Sequence, residues 1–334
     1  MDNINTLGIQ IIIWFQHLGL WLSPIMKFFT FLGSEQFYLL VAPAILWCID
    51  ATLGLRLGLF LMINGMVNTA LKVAFHMPRP YWYTNDVQAL GGSENSFGAP
   101  SGHAQNAVVV WGTLADYIKT RTAWIIAIII MVMIGLSRIY LAVHFPLDVL
   151  LGWIFGAIML WLLLKLEKPV VTWIKKYSIG MQLLLIFLFS LGLILLVLIA
   201  KLTFNGWSLP AEWVNNAHLA FPEEPTINPL SYHNFLSSTG AFFGLAAGYI
   251  WISRLGGFTT KDTWYKLVLR YILGVFGVLI LYLGLGALFP ESETFISYAL
   301  RYIRYALIGF WMAGFAPWIF IKIKLASKVK TSEE

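Results

Sequence analysis

Apolar residues run along this chain in long blocks, broken by short polar stretches. About 20 consecutive apolar residues suffice for a helix to cross the hydrocarbon core of a bilayer. On that measure the pattern predicts nine spans, near 36–50, 53–74, 103–117, 122–141, 147–166, 179–200, 231–253, 267–289 and 296–321. Residues 8–31 are apolar too, but Gln10, Gln16, His17, Pro24 and Lys27 interrupt them, as in an interfacial helix or helix pair. The expected fold class is all-α, a polytopic membrane helix bundle of about nine transmembrane helices plus an N-terminal interfacial helix. Three segments follow: 1–35 at the interface, 36–166 as a five-helix core, and 167–334 as an extension of about four helices. Gly240, Gly244 and Gly248 recur at a spacing that suits close helix packing. No period of 20–50 residues marks a solenoid.

Composition narrows the class further. Of 334 residues, 59% are hydrophobic and 11% charged, less than half the charge of an ordinary soluble domain, at about 25%. Disorder, a coiled coil and a nucleic-acid-binding surface are excluded. The net charge of +6 is first a topology signal, because Lys and Arg collect in cytoplasmic loops. Segments 118–122, 165–177, 254–266 and 322–334 are basic, with Lys119, Arg121, Lys175, Lys176, Lys261 and Lys330 among their cations. The alternate loops are acidic or nearly neutral, with Glu212, Glu223 and Glu224 in 201–230 and Glu291 and Glu293 in 290–295. The basic set is expected in the cytoplasm, which puts 75–102 and 142–147 on the opposite, extracytoplasmic side.

Cys48 is the one cysteine, so an internal disulfide and a cysteine metal cage are ruled out. The first apolar run has neither a basic leader nor a small-residue cleavage site, so no cleavable signal peptide is expected.

Three polar clusters fall at helix ends on the expected outer side. Lys72 to Arg79-Pro80 closes the second span. Pro100-Ser101-Gly102-His103 opens the third. Ser137-Arg138 ends the fourth, followed by His144 and, at the start of the fifth, Asp148. Three cations, two histidines and a carboxylate at one membrane depth describe an anion site with acid–base groups. Lys72, Arg79 and Arg138 supply donors for phosphoryl oxygens. Ser101 reads as a helix N-cap, where free amides add to anion binding. His103, in the first turn, is placed to protonate a leaving oxygen. His144 and Asp148 share a face if Pro146 starts a helix, so Asp148 can hold one ring nitrogen and leave the other free to attack phosphorus.

The pattern Lys-x6-Arg-Pro, Pro-Ser-Gly-His and Ser-Arg-x5-His-x3-Asp, complete at these positions, resembles the type-2 phosphatidic acid phosphatase superfamily. That superfamily spans lipid phosphate phosphatases, polyprenyl diphosphate phosphatases, glucose-6-phosphatases and vanadium haloperoxidases. The runs Arg79-Pro80-Tyr81-Trp82-Tyr83 and Ser137 to Pro146, with the nine-span plan, are also similar to glucose-6-phosphatases. Asp148 departs from them and follows the lipid-phosphatase pattern. The resemblance implies a two-step hydrolysis without metal or cofactor. His144 is the nucleophile and His103 the general acid and base. Asp148 orients His144, and Lys72, Arg79, Ser101, Gly102 and Arg138 hold phosphate.

The expectation is therefore an integral membrane phosphatase acting on a lipid phosphomonoester or diphosphate at the extracytoplasmic face. Its partners are the bilayer and a phosphorylated lipid or small substrate, with no nucleic acid. A soluble sugar phosphate as substrate, or transfer to an alcohol instead of water, is the alternative. A transporter is a different class, and the paired broken helices and internal repeats that mark one are not visible. Other polar residues have plainer readings. His76 faces a loop, and His17, His218 and His233 lack metal-ligand spacing. Arg301 and Arg304 pair with Glu291, Glu293 or other carboxylates. Tyr81, Trp82 and Tyr83 anchor their loop at the interface.

Overall fold

The structure is a computed structural model that describes residues 2–204, 206–290 and 292–329. Glu291 and Lys330, assigned above to loops, and the side chain of His233 lie outside the described set. Among the described residues all regular structure is helical.

α1 (Asp2–Gln16) and α2 (Ser23–Leu32) form a pair bent by 87°. α3 (Glu35–Cys48) and α4 (Ala51–Phe75) follow, then a short α5 (Pro80–Tyr83). Beyond a long loop come α6 (Gly102–Ile118), α7 (Arg121–Tyr140), α8 (Pro146–Ile174) and α9 (Ile179–Lys201). α10 (Ala211–Ala220) stands in the second long loop, ahead of α11 (His233–Arg254), α12 (Trp264–Leu288), α13 (Phe295–Phe310) and α14 (Ala316–Lys322). α13 runs into α14 through a π-helical turn, Trp311–Phe315.

Seven of these helices are long and apolar enough to cross a membrane, or eight if the bent N-terminal pair is one span. The chain is a multi-pass integral membrane protein, but the expected count of about nine is not reached. α3 has 14 residues and α6 has 17, and neither is among those seven. Asp50, the last residue of the first expected span, lies in the break between α3 and α4. Its Oδ1 accepts the Leu53 amide at 2.8 Å, which caps the start of α4.

The chain resolves into two compact units. The first comprises residues 1–38, 67–165 and 196–231, and the second 39–66, 166–195 and 232–334. Neither is continuous in sequence, so they cut along different lines from the segments 1–35, 36–166 and 167–334.

The first unit holds every motif residue. Its core joins Ile12 of α1, Tyr81 and Trp82 of α5, Phe97, Tyr140 and Ala217 of α10. Tyr81 and Trp82 are almost wholly buried, so they anchor their loop into this core and not at a membrane surface. The turn of α8 at Gly152 lies so close to α6 that a Cβ there would stand 2.7 Å from the Ser101 carbonyl oxygen. That contact sets the start of α6 against the start of α8, which is where the chemistry-bearing residues sit.

In the second unit the three glycines of α11 act as their spacing predicts. Gly240, Gly244 and Gly248 face the backbone of Tyr302, Ala306 and Phe310 with no room for a Cβ. Arg270 is fully buried and fully occupied: it donates to the carbonyls of Trp47, Thr259, Thr260 and Leu325 and pairs with Asp262 at 3.0 Å. Arg304 donates to the Tyr282 carbonyl and lies 4.6 Å from that ring's centroid, and Arg301 donates from Nε to Ser237 Oγ at 3.0 Å.

Candidate active site

Each motif stands where a helix begins or ends, because that is where an apolar helix can release a charged side chain. Lys72 is in the last turn of α4, which stops at His76, whose φ is +37° and whose amide still bonds the Lys72 carbonyl at 2.9 Å. Pro80 opens α5 immediately afterwards, with Arg79 as its extended N-cap residue. Ser101 caps α6, its Oγ accepting from the Ala104 amide. Arg138 lies in the last turn of α7, and its carbonyl accepts the amides of both Val143 and His144. That tight turn, with Ala142 at φ +56°, folds His144 back under the end of α7.

Asp148 does two things at once. Its Oδ2 accepts the Phe145 amide at 2.9 Å, as the third residue of a helix does when it reaches back to its N-cap. The same oxygen stands 3.4 Å from His144 Nδ1. That is an ion-pair distance, longer than a formed hydrogen bond. His144 Nε2, the other ring nitrogen, lies 3.4 Å from Arg79 Nη1. One ring nitrogen thus faces a carboxylate and the other faces the cations.

The cations are anchored largely by backbone. Arg79 donates from Nε to the Ser96 carbonyl at 2.6 Å and from Nη1 to the Val143 carbonyl at 2.9 Å. Its Nη2 reaches Ser96 Oγ at 2.9 Å. Lys72 Nζ donates to Ser96 Oγ at 3.1 Å and to the Phe97 carbonyl. Arg138 Nη1 donates to Thr30 Oγ1 at 2.6 Å, while its Nε is buried with no partner. Lys72, Arg79, Arg138, His144, Asp148 and Ser101 are all buried. His103, one residue into α6, is partly exposed and within electrostatic reach of Arg138, Glu94, Arg79 and Lys72. Burial, then Arg79, Lys72 and Arg138, hold the His144 imidazole well below the ordinary histidine value. The site therefore favours the neutral imidazole.

The structure brings all eight predicted site residues into the first unit, at the starts of α6 and α8, the ends of α4 and α7, and the N-cap of α5. Residues 53–172 match the PAP2 superfamily, and 236–328 match the PAP2 superfamily phosphatase transmembrane extension. The chain belongs to the PAP2 superfamily. It is a membrane phosphatase.

Relatives of this PAP2 phosphatase fall on both sides of the lipid and sugar divide. It is 24% identical to human glucose-6-phosphatase 2, over 95% of this chain and 96% of that one. It is 29% identical to phosphatidylglycerophosphatase B of Bacillus subtilis (strain 168), over 47% of this chain and 80% of that one. It is also 29% identical to the undecaprenyl-diphosphatase of Sulfolobus acidocaldarius, over 44% of this chain and 71% of that one.

Three contributors to the PAP2 site escaped the sequence reading. Glu94 pairs with both Arg138 and Arg79, the latter at 3.4 Å. Its signal was available: it is the only charged residue between Asp86 and His103. Thr30, on Arg138, gave no local signal. The third is the loop of 201–230, which packs inside the catalytic unit although it lies outside both matched regions. Asn216 Nδ2 donates to the Trp82 carbonyl at 3.0 Å, and Asn85 donates to Asn216 Oδ1 at 2.9 Å. Phe204 and Trp207 each pack tilted against the His76 ring at 5.0 Å between centroids, which gives that histidine a packing role.

Proposed function

We propose that this phosphatase hydrolyses a phosphomonoester or diphosphate of a membrane lipid at the extracytoplasmic face, through a phosphohistidine on His144. The observation that carries the reading is the His144 ring held between Asp148 at Nδ1 and the Arg79 guanidinium at Nε2. Asp148 favours the tautomer with the proton on Nδ1, which leaves the Nε2 lone pair to attack phosphorus. The bond from phosphorus to the ester oxygen breaks as the new P–N bond forms, and His103 gives its proton to the departing oxygen. Water then attacks the same phosphorus, yielding a proton to His103, and the P–N bond breaks to release phosphate. Lys72, Arg79, Arg138 and the start of α6 at Ser101 and Gly102 stabilise the equatorial oxygens as their charge redistributes.

Two features favour lipid. Lys72 and Arg138 stand in the last turns of two helices that are long and apolar enough to cross a membrane. The relatives over the catalytic region include enzymes named for lipid phosphates. The alternating loop charge supports the outward-facing assignment. A soluble sugar phosphate is the second reading, favoured by the similarity to human glucose-6-phosphatase 2 along nearly the whole chain. A phosphate-release panel separates them: phosphatidate, phosphatidylglycerophosphate, a polyprenyl diphosphate and glucose 6-phosphate, with His144→Ala as control. Highest kcat/KM on a lipid substrate supports the lipid reading, and preference for glucose 6-phosphate overturns it.

A further inference from the structure

We propose that Glu94 is a placeholder for the phosphoryl group: its carboxylate holds the donors of Arg79 and Arg138 between turnovers and swings away when phosphate binds. The inference rests on the phosphate-site reading above. The carboxylate takes one oxygen to each guanidinium, Oε1 to Arg138 Nη2 and Oε2 to Arg79 Nη2. Arg79 Nη2 is shared with Ser96 Oγ at 2.9 Å, and Arg138 Nε has no partner. Nη1 of Arg138 donates to Thr30, and Nε and Nη1 of Arg79 donate to backbone carbonyls. Two oxygens of a tetrahedral phosphoryl group have the same bidentate demand as the two carboxylate oxygens. A phosphoryl group bridging Nη2 of both arginines takes the positions that Glu94 fills.

The anchoring of Glu94 fits a side chain that moves on a backbone that does not. Its amide donates to Tyr81 Oη at 2.9 Å, and Tyr81 Oη donates back to its carbonyl at 3.3 Å. Tyr81 itself is buried. The side chain, by contrast, is 28% exposed, against 1% and 2% for the arginines that it touches. Rotation about its own bonds carries the carboxylate toward water without moving the loop. Burial alone would raise this carboxyl, but Arg79 and Arg138, with His103 and Lys72, hold it well below the usual carboxylate range. It is thus a full negative charge at working pH, neutralising cations that would otherwise repel one another. An internal competitor of this kind weakens the binding of every oxyanion, the product phosphate included.

The test is the inhibition constant of orthovanadate and of inorganic phosphate on the purified full chain, for wild type, Glu94→Gln and Glu94→Asp. Removing the competing charge should tighten both anions by roughly tenfold in Glu94→Gln, the scale of one charged contact. Glu94→Asp keeps the charge on a shorter arm from a pinned backbone, so it should tighten them by less. A purely structural role for Glu94 predicts the opposite sign. If vanadate inhibits the wild type and the Glu94→Gln constant is unchanged or higher, the placeholder is overturned and the phosphate site stands. If vanadate leaves the wild type untouched, both are overturned. A structure of the wild type with vanadate decides the matter independently of how the variants fold. The carboxylate should lie away from both guanidiniums, and finding it still on both beside the bound vanadate refutes the proposal.

Discussion

Thr30 Oγ1 accepts a 2.6 Å hydrogen bond from Nη1 of Arg138, across 108 positions of sequence. An N-terminal helix outside the PAP2 match thereby orients one of the cations proposed to hold phosphate. Thr30→Val keeps the shape and removes the acceptor. Hydrogen bonds to charged groups contribute about 1.5–3 kcal/mol, so losing this one should lower the thermal unfolding midpoint and, with the guanidinium no longer held in place, raise the vanadate inhibition constant about tenfold. An unchanged constant in a folded variant removes Thr30 from the site.

The two histidines should separate kinetically. His144→Ala loses the proposed nucleophile, so neither turnover nor an acid-labile, base-stable phosphoenzyme should form from labelled substrate. His103→Ala retains Lys72, Arg79 and Arg138, so it should still bind vanadate while turnover falls by about 10²–10⁴, the range for a positioned acid–base group. Acid–base partition of labelled enzyme after rapid quench checks the first. Near-normal activity in His144→Ala would refute the nucleophile assignment.

The pH profile carries a signed prediction. Burial, Arg79 and Lys72 depress the His144 value, so its neutral form persists below the ordinary histidine value of about 6.5. The acid limb of kcat/KM, which reports the free enzyme, should accordingly lie below that pH. Stability follows the same sign. The contribution of His144 is present above about pH 6.5 and is lost as pH falls through its depressed folded value, because the unfolded chain takes the proton first. Lys72→Met removes one of the depressing charges, so the acid limb should move up toward the ordinary value. A limb that stays in place, measured on the same substrate, contradicts the electrostatic account.

The motif residues were legible because they break the pattern around them: charges and histidines at the ends of apolar runs stand out whatever the fold. The glycines of α11 were legible for a related reason, since a four-residue spacing puts them on one face of any helix. What the pattern hid is long-range. Thr30 meets Arg138 across 108 residues and Asn216 meets Trp82 across 134, and neither partner is unusual in its own neighbourhood. Seven helices, or eight with the bent pair, are long and apolar enough to cross a membrane, against about nine expected, because apolar content fixes where a run lies but not where it is capped. Asp50, read as part of the first span, in fact caps α4.

Close approach of α11 and α13 makes the last prediction one about packing alone. A Cβ at Gly244 would overlap the Ala306 carbonyl group, backbone that cannot swing aside as a side chain can. Gly244→Ala must therefore push the two helices apart, and overpacking of this kind costs about 1–3 kcal/mol or more. Gly192 in α9 is the internal contrast, for nothing lies within 4 Å of its Cβ position. Alanine is favoured over glycine in a helix by about 0.8–1 kcal/mol, so Gly192→Ala should be neutral or stabilising. Thermal unfolding of the two variants in the same detergent should shift in opposite directions or by clearly unequal amounts. Equal midpoints would mean that the glycine stripe of α11 does not set the contact with α13.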